Sequence, residues 1–128
     1  MTAFLLPEQV LAIHDLQSSQ PLRSEGALKG AVTRPQSAWS DQLLYPTTVA
    51  QAAVLLTSIC QAQAFLDGNK RTAWVACDVF LTLNGLHLTQ VSDDDVVALM
   101  DGISRGTRDV DAVTDCISTH TTTNRSEP

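Results

Sequence analysis

The chain has 128 residues, 44% of them hydrophobic and 17% charged, with a formal net charge of −6. A chain of this length makes about one domain that buries roughly two thirds of its unfolded surface, so neither a disulfide nor a metal is needed to fold it. The acidic balance argues against non-specific nucleic-acid binding, which needs a basic footprint, but it leaves room for a local basic pocket. Aromatic content of 5% and an excess of Ala, Leu and Val lean towards helix.

Cys60, Cys77 and Cys116 stand singly in apolar or helical stretches, without a Cys-x-x-Cys pair or zinc spacing. They read as buried thiols of a cytoplasmic protein. The opening "MTAFLLPEQV" has no basic segment and only a short apolar run, so it does not read as a signal peptide. No stretch reaches the roughly 18 apolar residues of a membrane span.

In "LLPEQVLAIHDLQSSQ", Pro7 and Glu8 suit a first helical turn, and Val10, Leu11, Ile13, His14 and Leu16 follow at helical spacing. His14 reads as a packed or surface helix residue without chemistry. "SEGALKGAVTRPQ" predicts a short second helix stopped by Pro35, which lacks a donor and clashes backwards. Residues 36 to 46 read as a loop with some extended character.

"TTVAQAAVLLTSICQAQAF" is helical with few charges, and "RTAWVACDVFLTLNG" reads as a second long helix, apolar on nearly all sides and stopped by Asn84 and Gly85. Joined by a few residues, the two predict a buried helical hairpin at the centre of the chain. "LHLTQ" predicts a brief extended segment. Ser92 followed by Asp95 predicts a helix cap, and the triple aspartate Asp93 to Asp95 suits a helix N-terminus through the macrodipole. "DVDAVTDCISTH" closes the series. The expected fold is therefore all-α: a single compact domain of about six helices over residues 1–119, with a disordered tail over 120–128.

A polar knot, "FLDGNKR", interrupts the central hairpin. Backbone N–H groups at a helix start, preceded by a glycine free to adopt unusual φ/ψ, make an anion cradle. Gly68 and Asn69 supply the turn, while Lys70 and Arg71 put two cations at the helix end where structure alone disfavours them. That arrangement makes sense if an anion such as a polyphosphate sits there. Asp67 then faces the same anion, which helps if a divalent metal lies between; magnesium needs only one or two carboxylates beside phosphate oxygens. Phe65 is the apolar pin of the loop. The same composition also fits a plain solvated turn.

At these residues the sequence resembles the Fic/Doc family, whose motif reads His-x-Phe-x-(Asp/Glu)-Gly-Asn-(Gly/Lys)-Arg. Phe65, Asp67, Gly68, Asn69, Lys70 and Arg71 match in register, within the run "DGNKRTA". "LRSEGALKGAVTRPQSAW", "LYPT" and "VFLTLNGLHL" resemble the Doc branch as well, so the likeness covers roughly residues 4 to 118.

The resemblance implies an all-helical fold around the motif loop and ATP with magnesium as its ligands. By position, Asp67 would hold magnesium, the backbone of Gly68 and Asn69 with the Asn69 side chain would hold phosphate oxygens, and Lys70 and Arg71 would neutralise charge. Ser40 to Tyr45 correspond to a flap along which the target lies. Most members with glycine after the asparagine transfer AMP from ATP to a protein hydroxyl. Members with lysine there, the Doc-like toxins, transfer the terminal phosphate of ATP to a threonine of elongation factor Tu. Lys70 places this chain with the second group. The inhibitory Ser/Thr-x-x-x-Glu-(Gly/Asn) motif of many relatives is absent, since Pro21 stands four residues before Glu25. A Phd-type antitoxin acting through its C-terminal segment is the partner expected, with no direct nucleic-acid or membrane contact.

The departure is Gln63, at the position of the motif histidine. An amide accepts a hydrogen bond but not the proton of an attacking hydroxyl, and loss of a general base slows such a step about 10²- to 10⁴-fold. Three readings follow: a Doc-like phosphotransferase impaired at its base position, an inactive relative that binds nucleotide or peptide, and an AMP transferase, against which Lys70 argues.

Overall fold

The computed structural model describes residues 2–123, among which six α-helices carry most of the chain. Helix α1, Pro7–Asp15, starts on Pro7 and Glu8 as expected, with the Leu6 N–H donating to Gln9 Oε1 at 2.8 Å. Helix α2, Glu25–Thr33, is capped by Ser24, whose hydroxyl accepts from the Ala27 N–H, and it gives way at Arg34–Gln36 to a 3-10 turn holding the buried Pro35. Strands β1, Ala38–Trp39, and β2, Gln42–Leu43, form a hairpin closed by Ser40 and Asp41, both at positive φ (49° and 67°). Two left-handed central residues match the twist of a tight hairpin.

Helix α3, Thr48–Ala62, and helix α4, Asn69–Leu83, pack along each other as the expected hairpin, but their burial differs. In α3 every residue from Gln51 to Cys60 is buried. Small Ala52 and Ala53 and the larger Val54, Leu55, Leu56 and Ile59 meet neighbours on all sides, with α2, α4, α5 (Asp93–Arg105) and α6 (Val110–Thr119) packed around them. Helix α4 buries one face, through Thr72, Ala73, Ala76, Cys77, Phe80 and Leu81, and leaves Asp78, Thr82 and Leu83 outside. The motif-bearing helix is thus not the central one, because Asp78 and Thr82 mark a solvated stripe. Each fully buried Leu, Ile or Phe contributes about 1.5–3 kcal/mol, and Leu55, Leu56 and Ile59 of α3 are joined in this by Phe80 and Leu81 of α4, Ile103 of α5 and Ile117 of α6.

Asn84 ends α4 by donating to the Phe80 and Ala3 carbonyls while its Oδ1 accepts from the Ala3 N–H, and Gly85 follows at φ 81°. Helix α5 begins with Ser92, whose hydroxyl accepts from the Asp95 N–H, and carries Asp93, Asp94 and Asp95 exposed in its first turn.

The expected disordered tail starts too early. Thr121–Thr123 form strand β4, antiparallel to β3, Leu86–Leu88, and the His120 carbonyl accepts from both the N–H and the hydroxyl of Thr89. Three β-branched residues that meet an open strand edge pair through their backbone without needing burial. Residues 124–128 lie outside the described residues. No helix among those described is long and apolar enough to cross a membrane.

Cys60 and Cys77 are fully buried, whereas Cys116 is partly exposed, which departs from three buried thiols. Burial, with a smaller contribution from Asp78, pushes the Cys77 thiol far above its usual range. A thiol reagent applied to the native protein will therefore label Cys116 first, and Cys60 and Cys77 only on unfolding in denaturant; prompt labelling of Cys77 in native buffer would contradict this packing.

Candidate functional site

The polar knot is the connection between α3 and α4, and its backbone is held at almost every carbonyl. Helix α3 ends at Gln63, a non-glycine residue in the left-handed region (φ 53°, ψ 40°), whose carbonyl accepts from Arg23 Nη2 at 2.9 Å. The Ala64 carbonyl accepts from the N–H groups of Arg23 and Ser24 at 2.7 and 3.0 Å, and the Leu66 N–H donates to Pro21 at 3.1 Å. The segment between α1 and α2 thus ties down one side of the loop.

Asn69 ties down the other. Its Oδ1 accepts from the Phe65 N–H at 3.1 Å and its Nδ2 donates to the Phe65 carbonyl at 2.8 Å, in a buried two-bond clamp. Phe65 itself is buried, as expected of an anchor, with its ring stacked on His14 at a centroid distance of 3.7 Å and an interplanar angle of 5°. The resemblance assigned the Asn69 side chain to phosphate oxygens. Here that amide is engaged by the loop instead, and the backbone N–H of Asn69, at the first position of α4, has no partner within the helix.

Gly68 stands at φ 85°, a region costly for other residues, and a Cβ there would also crowd Ser18 Cβ at 3.3 Å and the His14 ring at 3.4 Å. Helix α4 begins immediately after it without a side-chain cap. The first N–H groups of a helix have no partner within it, so Asn69, Lys70 and Arg71 present donors at this end.

Gln63, Leu66, Asp67, Gly68, Asn69, Lys70 and Arg71 line one open pocket of about 460 Å³, within the range of small-ligand sites. All the expected site residues except Phe65 therefore converge on it, and Phe65 lies beneath. The Gln63 side chain is exposed at the rim, its amide donating weakly to the Cys60 carbonyl at 3.4 Å. Lys70 Nζ lies 3.0 Å from Asp101 on α5, and this cation holds the Asp101 carboxyl below the usual carboxylate range. The pair persists above that range and is lost as pH falls through the lowered value. Being half exposed, it is worth little to stability. Arg71 reaches the Gln17 carbonyl at 3.5 Å, a loose contact that leaves the guanidinium exposed.

No histidine lines the pocket. His87 is exposed on β3, and His120 caps α6 with Nδ1 against the Cys116 carbonyl. His14, read from sequence as a residue without chemistry, lies directly behind the loop with Nε2 at 2.9 Å from the Asp67 carbonyl. Beside the pocket, and sharing Lys70 and Arg71 with it, an apolar shelf of about 400 Å³ is formed by Trp74, Val96, Val97 and Met100. Of its α5 residues Val97 is exposed, Val96 partly so and Met100 buried.

With this geometry in hand, comparison with known proteins gives one family. The Fic/DOC family model matches residues 4–81, from ahead of α1 through most of α4, with the whole loop inside. The chain belongs to the Fic/DOC family. Within it, the chain is 37% identical to the Toxin Doc of Mycolicibacterium smegmatis over 116 residues, which span 88% of this chain and 89% of that protein. The matched span includes the whole α3–α4 loop, which carries glutamine at position 63.

The Asn69 clamp carries a direct consequence for stability. Asn69→Ala leaves a buried N–H and a buried carbonyl of Phe65 without partners, so urea unfolding should show a loss of about 2 kcal/mol or more. A variant as stable as the original would show that the clamp does not hold the loop.

Proposed function

We propose that this protein is a Doc-like toxin of a toxin–antitoxin pair, which binds ATP at the α3–α4 loop and transfers its terminal phosphate to a threonine hydroxyl of a protein, slowly because of Gln63. The observation that carries the reading is the polarity of the loop. The carbonyls of Gln63, Ala64, Phe65, Asp67 and Gly68 all accept hydrogen bonds from the protein, while the uncapped start of α4 faces a pocket flanked by two cations. Such a surface suits phosphate oxygens. Similarity to a Toxin Doc supports the toxin part of the reading.

Gly68, Asn69 and Lys70 donate to phosphate oxygens from the backbone, and Lys70 and Arg71 neutralise their charge. A lone exposed carboxylate in the pocket suits magnesium in the company of phosphates, so Asp67 would hold it. When bound, the ion offsets phosphate charge and orients the transferred group. Transfer forms a bond between the hydroxyl oxygen and the terminal phosphorus as the bridging bond to the leaving diphosphate breaks. The Gln63 amide can orient the hydroxyl but not take its proton, which passes to solvent water instead. Phosphoryl transfer leans on positioning and charge more than on early proton removal, so slow turnover survives. The apolar shelf at Trp74 and Met100 suits the non-phosphate end of the nucleotide.

The exposed hairpin, with Trp39 77% accessible and Leu43 and Leu44 beside it, suits a flap against which a target segment lies. Elongation factor Tu is the target that the resemblance favours. An apolar groove of about 620 Å³ between α1 and α2, lined by Leu11, Leu22 and Leu28 and rimmed by Glu8, Glu25 and Lys29, suits the C-terminal segment of a Phd-type antitoxin. The absence of histidine from the pocket lining favours a second reading, a binding protein that keeps the nucleotide cradle without catalysis.

Restoring the base separates the two. Gln63→His should raise phosphate transfer from labelled ATP to a threonine of the target by about 10²- to 10⁴-fold and arrest growth on expression. Transfer and arrest absent from both forms, with ATP affinity intact, would leave the binding reading standing and remove the enzymatic one. Arg71→Ala should weaken magnesium-dependent ATP binding at least about tenfold, as loss of a charge-assisted contact does. Asp101→Asn should instead tighten it by about two- to fivefold, since it frees Lys70 from an exposed pair; an unchanged affinity would mean that Lys70 does not serve the phosphates.

A further inference from the structure

His14 lies 53 positions from Asp67 in sequence, on a different helix, and is fully buried. Three contacts join the end of α1 to the loop. The His14 ring stacks face to face on Phe65, its Nε2 sits 2.9 Å from the Asp67 carbonyl, and Ser18 with His14 leaves Gly68 no room for a side chain. On the far side of the ring, Asp15 Oδ1 lies 3.0 Å from Nδ1 and fixes how the imidazole is turned.

A carbonyl can only accept, so the proton of this hydrogen bond resides on Nε2. The Asp67 carbonyl and the Gly68 N–H belong to one peptide unit, and in a trans peptide they point in opposite directions. Holding the carbonyl inward on His14 therefore aims the Gly68 N–H away from α1, towards the side on which Asp67, Gly68 and Asn69 line the pocket. Nothing local would do this, because glycine at φ 85° accepts either orientation of the preceding peptide at little cost. With the peptide reversed, a carbonyl oxygen would meet the anion in place of a donor.

We propose that His14 is the positioning residue of the phosphate loop: its Nε2–H locks the Asp67–Gly68 peptide in the orientation that presents a donor to the anion. The proposal rests on the nucleotide reading for its ligand, but the locked peptide exists without one.

Two substitutions in the full chain divide the contributions of the ring. His14→Phe keeps a stacked ring on Phe65 and removes the donor. His14→Gln gives up the stack but places an amide N–H at about the reach of Nε2. Calorimetry with magnesium and ATP should show His14→Phe weaker than the original by about tenfold or more, and His14→Gln within about threefold of the original, even though both lose stability in urea. Binding by His14→Phe within about twofold of the original, or by His14→Gln no better than by His14→Phe, overturns the proposal. If the original chain shows no saturable ATP binding, the nucleotide reading falls, and the positioning role is judged on the free protein. There the Gly68 amide resonance should move in His14→Phe and return in His14→Gln, and no movement overturns it. Should His14→Phe fail to fold, the original protein decides by itself. A slowly exchanging Nε2 proton on His14, coupled to the Asp67 carbonyl, is expected, and a ring protonated on Nδ1 alone overturns it.

Discussion

A loop can offer backbone donors to an anion only while its carbonyls are held elsewhere, and this constraint organises the structure around the α3–α4 connection. Peptide groups carry a donor and an acceptor in equal number, so a run of free chain presents both signs to solvent. Here the acceptors are drawn inward by four separate partners: the Arg23 and Ser24 backbone, the Arg23 side chain, the Asn69 amide and the His14 ring. What remains on the outer surface is the donor end of α4, reinforced by Lys70 and Arg71.

Rigidity of this kind has to be supported from below. Helix α3 supplies that support, since its run from Gln51 to Cys60 is buried on all sides and delivers Gln63 at a fixed place. Phe65 then plugs the loop into the core between His14 and the Asn69 clamp, so that the polar turn is anchored by one of the largest buried side chains. Helix α4 can afterwards leave a solvated face, because it is held by α3 and α1 along one side.

Much of this was legible in the sequence, for local reasons. Pro35 stops α2, Asn84 with Gly85 stops α4, Ser92 caps α5, and each acts within a few residues of itself. The motif residues are consecutive, so Asp67 to Arg71 had to share one pocket. What escaped was long-range or competitive. His14 gives no sign in its own helix of its bond to Asp67, and an imidazole on an apolar stripe looks like packing until its partner is known. The Asn69 amide has a partner four residues back that competes with any ligand for it. The apolar stretch of α4 concealed its solvated stripe, since Asp78 and Thr82 are few among many apolar neighbours. Thr121–Thr123 look like tail by composition and become strand because β3 offers an edge. Gln63 was legible as a departure, and the structure adds that no other imidazole takes its place at the pocket.

The proposed function requires the N–H groups at the start of α4 to receive the phosphates of a nucleotide. Titrating the isotope-labelled protein with ATP and magnesium and following the amide resonances tests it most directly. Saturable shifts are expected at Gly68, Asn69 and Lys70, larger than those anywhere else in the chain. Saturation with these three amides unmoved, or shifts confined to a different face, would contradict it.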